Sequence, residues 1–100
     1  MRQRYSFHLD QGGHSVTVNV RSGWITETEL LVDGKECDFH RVHGHGDYPL
    51  TLTAQVAEEP PTPPRPLAVR LDRTGRAEHP LSCVLELSGA QHPMPERTAR

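Results

Sequence analysis

At 100 residues the chain has the size of one domain. Its 11 basic residues are scattered among 13 acidic ones for a net charge of -2, so the basic stripe that releases counterions from phosphates is missing, and neither nucleic acid nor an anionic membrane is an expected partner. No run approaches the roughly 20 apolar residues of a membrane helix, and no apolar segment follows Met1, which predicts no signal peptide and a cytoplasmic protein.

Residues 4–10 alternate with period two. Tyr5, Phe7 and Leu9 share one face, and Arg4, Ser6, His8 and Asp10 share the other, the pattern of a half-buried strand. Gly12-Gly13 supplies a turn. Val16, Val18 and Val20 then alternate with Thr17 and Asn19 in a second strand, expected to pair antiparallel with the first.

After Ser22-Gly23, residues 24–32 read as strand three. Glu27 and Glu29 want water, which points Trp24, Thr26, Thr28, Leu30 and Val32 inward. The run Leu30-Leu31-Val32 breaks the alternation, so either Leu31 is covered or a bulge lies there. Asp33-Gly34 is a strong hairpin signal. Strand four follows over residues 35–42, with Cys37 and Phe39 expected inward and Glu36, Asp38 and His40 outward.

The segment His43-Gly-His-Gly-Asp47 reads as a loop. Leu50, Leu52, Ala54 and Val56 alternate in strand five. Residues 58–66 contain five prolines; proline lacks a ladder donor, so an extended crossover between sheets is expected. Leu67, Val69 and Leu71 predict strand six, and Leu81, Cys83, Leu85 and Leu87 strand seven. About seven short strands with turn signals between them predict an all-β domain over residues 3–88, an antiparallel β-sandwich with a small β-barrel as the alternative. Residues 89–100 read as a flexible C-terminal tail.

His14-Ser-Val16, Ser22-Gly23 and Leu31-Val-Asp33-Gly34-Lys35-Glu36 together resemble the opening strands of the Fas apoptotic inhibitory molecule family. That resemblance covers about a quarter of the chain. It implies a small β-sandwich that acts as a non-catalytic interaction module, and it carries over no functional residue.

Thiolate, imidazole and carboxylate are the ligands preferred by zinc, nickel and copper. Cys37, His40, His43, His45 and Asp47 supply all three types in one stretch. Cys37 and His40 fall on opposite faces of their strand, so the coherent metal set is His40, His43, His45 and Asp47. Against it stands a plain solvated loop, with no metal or other cofactor. The histidines also suit a pH switch, although nothing pairs them with a bistable element. Cys37 and Cys83 are expected as buried thiols, with a disulfide between them as the alternative.

No catalytic pattern appears. No serine sits in a nucleophile elbow, Gly12-Gly13 opens a strand rather than a phosphate-binding helix, and Glu27 and Glu29 serve to keep a strand face wet. Pro60-Pro61-Thr62-Pro63-Pro64-Arg65 matches a polyproline ligand pattern but reads better as a stiff connector. The expected function is therefore non-enzymatic: protein–protein interaction with a partner, or self-association as a homodimer. A small metal-binding protein using residues 40–47 is the alternative.

Overall fold

The computed structural model describes residues 3–97. Among the described residues nine strands follow one another: β1 (Gln3–Gln11), β2 (His14–Ser22), β3 (Ile25–Val32), β4 (Lys35–His43), β5 (Leu50–Val56), β6 (Arg65–Arg73), β7 (Leu81–Leu87), β8 (Ala90–Pro93) and β9 (Glu96–Arg97). They form two antiparallel sheets, ordered β4-β3-β2-β1-β9 and β5-β6-β7-β8. The chain is thus an all-β antiparallel sandwich and not a closed barrel. Among the described residues no helix is long and apolar enough to cross a membrane.

The period-two pattern explains the core directly. Phe7, Val16, Val18, Val20, Leu30 and Val32 are buried on the inner face of the first sheet, and Leu52, Leu67, Val69, Leu71 and Leu85 are buried among the residues that meet them from the second. Alternation places each set on one side of its strand, so both sheets can bury a face only against each other.

Asp33 and Gly34 turn the chain between β3 and β4 with φ of 53° and 81°. Both central residues of such a turn need positive φ, which aspartate tolerates and glycine takes without a Cβ clash. The Asp33 carboxylate also reaches across to the β1–β2 turn. It accepts the Ser15 N–H at 2.9 Å and meets His14 Nδ1 at 2.7 Å.

Three expectations are corrected. The proline-rich segment does not cross between sheets: β5 and β6 are antiparallel neighbours, so it is their hairpin loop. Glu58 Oε1 and Arg65 Nε face each other at 3.0 Å at its two ends. The crossover is instead the histidine loop, which carries the chain from β4 in the first sheet to β5 in the second.

Residues 89–97 are no free tail. β8 pairs with β7, and β9 pairs with β1 in the opposite sheet. Met94, between them, is buried and donates its N–H to the Cys83 carbonyl at 2.9 Å. Burying that side chain contributes about 1.5–3 kcal/mol, which anchors the crossing. Residues 98–100 of the expected tail lie outside the described residues. The strand count rises from about seven to nine because β8 and β9 are too short to show periodicity.

Trp24 is the third. It stands at the β2–β3 turn, 90% exposed, rather than inward at the head of β3. Thr26 and Thr28 do face inward and are buried. Cys37 and Phe39 also differ from expectation, for a reason that shapes the candidate site.

Candidate functional site

The pairing of β3 with β4 shifts register between Leu30 and Leu31. Leu31 lies opposite Glu36 and Leu30 opposite Asp38, so Cys37 is an extra residue in β4. A regular hairpin from Asp33-Gly34 would set Leu30 against Cys37, Thr28 against Phe39 and Thr26 against Arg41. Directly opposed residues share a face, so that register turns Cys37, Phe39 and Arg41 inward. The bulge reverses all three, because one inserted residue flips every side chain beyond it. Val42 replaces Arg41 opposite buried Thr26, and Arg41 turns out to within 4.0 Å of Glu27. Cys37 is exposed, and Phe39 is 46% exposed on the outer face, opposite Glu29. The expectation of Cys37 and Phe39 as core residues is therefore overturned.

The bulge also brings Asp38 to the inner side, where β5 packs against β4. β4 and β5 are the edge strands of their sheets and lie along the same side of the sandwich. Asp38 Oδ1 accepts the Phe39 N–H at 2.9 Å, and Asp38 Oδ2 accepts the Thr53 N–H at 3.0 Å. One carboxylate thus caps a free N–H on each edge. Hydrogen bonding alternates along an edge strand. Since Gly44 donates to the Trp24 carbonyl at 2.7 Å and the Phe39 N–H is turned to its own neighbour's side chain, the main-chain groups of Arg41 and His43 face away from β3. The opposite side of the sandwich ends in the short strands β8 and β9.

Trp24 stands at one end of this open side. Thr26 Oγ1 donates to the Gly44 carbonyl at 2.6 Å, and Gly44 is bonded to Trp24, so the start of the crossover loop is tied to the turn that carries the indole. Further along, Gly46 has φ of +98°, and a Cβ there would sit 3.1 Å from the Tyr48 ring. Arg73 lies over the Tyr48 ring, its guanidinium carbon 5.0 Å from the ring centre.

The expected metal set is not brought together. His40 lies opposite Thr28 on the inner side and is half-buried, whereas His43 lies opposite Ile25 on the outer side and is exposed. Residues three apart on a strand project to opposite faces. His45 and Asp47 follow in the loop, both exposed. Among the described residues, no three His, Cys, Asp or Glu side chains converge as zinc, nickel or copper requires.

A groove of about 870 Å³, with Cys37 at its lining, runs over the outer face of the second sheet. Thr53, Gln55, Ala68 and Glu86 line it. Burial pushes the thiol of the second cysteine, Cys83, up to about 12, and its Sγ lies 3.6 Å from Met94 Sδ. The two cysteines are both free: Cys83 is in the core and Cys37 is outside it.

One outer-face feature escaped the sequence altogether. Arg97 Nε donates to Ser6 Oγ at 3.2 Å, Ser6 Oγ to Asn19 Oδ1 at 2.8 Å, and Asn19 Nδ2 to Glu29 Oε1 at 3.0 Å. With Phe39 opposite Glu29, the row crosses all five strands of the first sheet. Its members stand 10 to 91 positions apart in pairs, so only the register aligns them. The polar parity of Ser6, Asn19 and Glu29 was the one available signal.

Comparison of the chain with protein-family models, with curated proteins and with solved structures gives no match.

Proposed function

We propose that this protein is a non-enzymatic interaction module that docks a protein partner, or a second copy of itself, through the open β4–β5 side. The observation that carries this reading is the placement of the two large apolar side chains that are exposed among the described residues. Trp24 is 90% exposed and Phe39 46% exposed, and both flank the stretch of β4 whose main chain has free hydrogen-bonding groups. Tryptophan is enriched at the energetic centres of interfaces, and an edge strand is a template for an added strand. Cys37 with its bulge and Asp38 with its double cap, which takes the Phe39 N–H, stop pairing there, so the N–H groups left to an incoming strand are those of Arg41 and His43. The resemblance to the Fas apoptotic inhibitory molecule family favours the same kind of activity. The free thiols of Cys37 and Cys83 suit a reducing cytoplasm.

The test combines light scattering across a concentration series with capture experiments using wild type, Trp24→Ala and Phe39→Lys. A dimer, or a captured partner, that both substitutions weaken at least tenfold supports the reading. A strict monomer that captures nothing, or an association indifferent to both substitutions, overturns it.

A further inference from the structure

A second pocket lies at the end of the sandwich that holds the β4–β5 crossover. Its volume is about 250 Å³, and its polar lining comes from Gln3, Tyr5, Ser22, His45, Tyr48 and Arg73. These residues come from β1, β2, the crossover loop and the end of β6, so only the assembled fold gathers them. Gln3, Ser22, His45, Tyr48 and Arg73 each have an N–H or O–H to give, and among the described residues no carboxylate lines the pocket.

Arg73 is the centre of the arrangement. Among the described residues it makes no ion pair. Its one polar contact is a long one, Nη2 to the Gly46 carbonyl at 3.4 Å. Stacking on Tyr48 at 5.0 Å holds the guanidinium plane while leaving its other N–H groups unspent. The neighbouring Asp72 is taken by Arg70 at 2.9 Å and does not neutralise it. Burial raises the Tyr48 phenol above its ordinary value, which keeps the hydroxyl protonated and able to donate. Tyr5 donates its hydroxyl to Gln3 Oε1 at 2.6 Å, so the Gln3 amide N–H2 is left for another acceptor.

From this geometry we infer that the end pocket is a binding site for a small phosphate-bearing anion. Donors that reach one space from four chain segments match the several acceptor oxygens of a tetrahedral group. The guanidinium fork adds the bidentate contact for which arginine is suited. The volume lies below the roughly 300–1,000 Å³ of drug-sized ligand sites, which limits the occupant to a phosphate with a small substituent. The site is separate from the interaction surface proposed above and stands without it.

The experiment titrates inorganic phosphate into the full chain at constant ionic strength. Backbone amide shifts of Gly46, Tyr48 and Arg73 are followed, with sodium chloride and acetate as parallel titrations. Saturable shifts confined to this end of the sandwich are expected with phosphate only. Arg73→Gln is expected to weaken binding at least tenfold, and Arg73→Lys to recover part of it. His45→Gln alters an exposed loop residue that the fold does not need, and is expected to weaken binding about threefold. It keeps the test decisive even where Arg73→Gln unfolds the protein. Shifts that grow linearly without saturation, or that chloride reproduces, overturn the site. Unchanged affinity in His45→Gln and in any folded Arg73→Gln also overturns it. Acetate binding as tightly as phosphate overturns the assignment of a phosphate group.

Discussion

Asp38 in one sheet and Thr53 in the other are joined by a hydrogen bond of 3.0 Å from the Thr53 N–H to the Asp38 carboxylate. The second carboxylate oxygen takes the Phe39 N–H at 2.9 Å. A single side chain therefore ties the two open edges together and blocks each of them at one point. This places a limit on strand addition inside the surface we propose for partner docking, since natural sheets protect long edges with inward charges and bulges.

Replacing Asp38 with alanine removes both bonds and frees both N–H groups. The expected cost is about 1 kcal/mol of stability, the net worth of a partly solvated hydrogen bond. Self-association is expected to rise, because two edge donors become available. Urea unfolding gives the first quantity, and light scattering over a concentration series gives the second. Asp38→Asn is expected to fall between the two, as its amide offers one acceptor oxygen rather than two.

At the turn that precedes β4, the hydrogen bond from His14 and then that from the Ser15 N–H hold the Asp33 carboxyl below its ordinary value of 3.8. A depressed carboxylate contributes stability that is fully present above the unfolded-state value. That stability is lost as pH falls through the lower folded-state value. The hairpin connection between the β1–β2 turn and the β3–β4 turn is therefore expected to weaken only on the acid side of pH 3.8. The carboxyl carbon shift of Asp33, followed by NMR from pH 6 to pH 2, measures it. A midpoint at or above the ordinary value contradicts the linkage.

Leu85 is fully buried, whereas Trp24 is 90% exposed. Leu85→Ala is expected to cost about 2–5 kcal/mol, because it removes contacts and leaves a cavity. Trp24→Ala is expected to change stability by no more than about 0.5 kcal/mol, as at other surface sites. Paired urea denaturation curves check both. A large cost at Trp24 would mean that the indole serves the fold and not a partner.

The two cysteines are expected to react on separate timescales. Cys37 is exposed at the bulge, and Cys83 is buried with its thiol pushed up to about 12. Because the thiolate is the reactive form, a maleimide at pH 7 should label Cys37 within minutes and leave Cys83 untouched in the native protein. Mass spectrometry should show one adduct before unfolding and two after. Equal labelling of both residues would contradict the buried position of Cys83.

β1, β2, β5, β6 and β7 were legible because each has one face in the core and one in water, and the residues alternate accordingly. The irregular Leu31 left a covered side chain and a bulge as alternatives; the bulge is what forms, and its effect on β4 was not legible. Apolarity alone favours Cys37 and Phe39 as the inner residues. The inner side of an edge strand, however, is only partly covered, so Asp38 and His40 are tolerated there half-buried. β8 and β9 carry too few residues for any period, and their pairing depends on Met94 reaching the core.

Among the candidate functional residues, the histidines stood out by composition, yet a strand separates His40 from His43 by face. The end pocket was invisible because Gln3, Ser22, Tyr48 and Arg73 come from four segments with no common spacing.

The sequence by itself determined the all-β class, the hairpins at Gly12-Gly13 and Asp33-Gly34, and most of the buried residues. All of these depend on interactions between near neighbours: the pleat of a strand and the dihedral demands of a turn. Only the tertiary structure decided which strands became edges, which way β4 faces beyond Cys37, and that the chain after Ser88 returns to the first sheet. Those outcomes follow from register and from packing between sheets, where one inserted residue or one buried methionine outweighs local pattern.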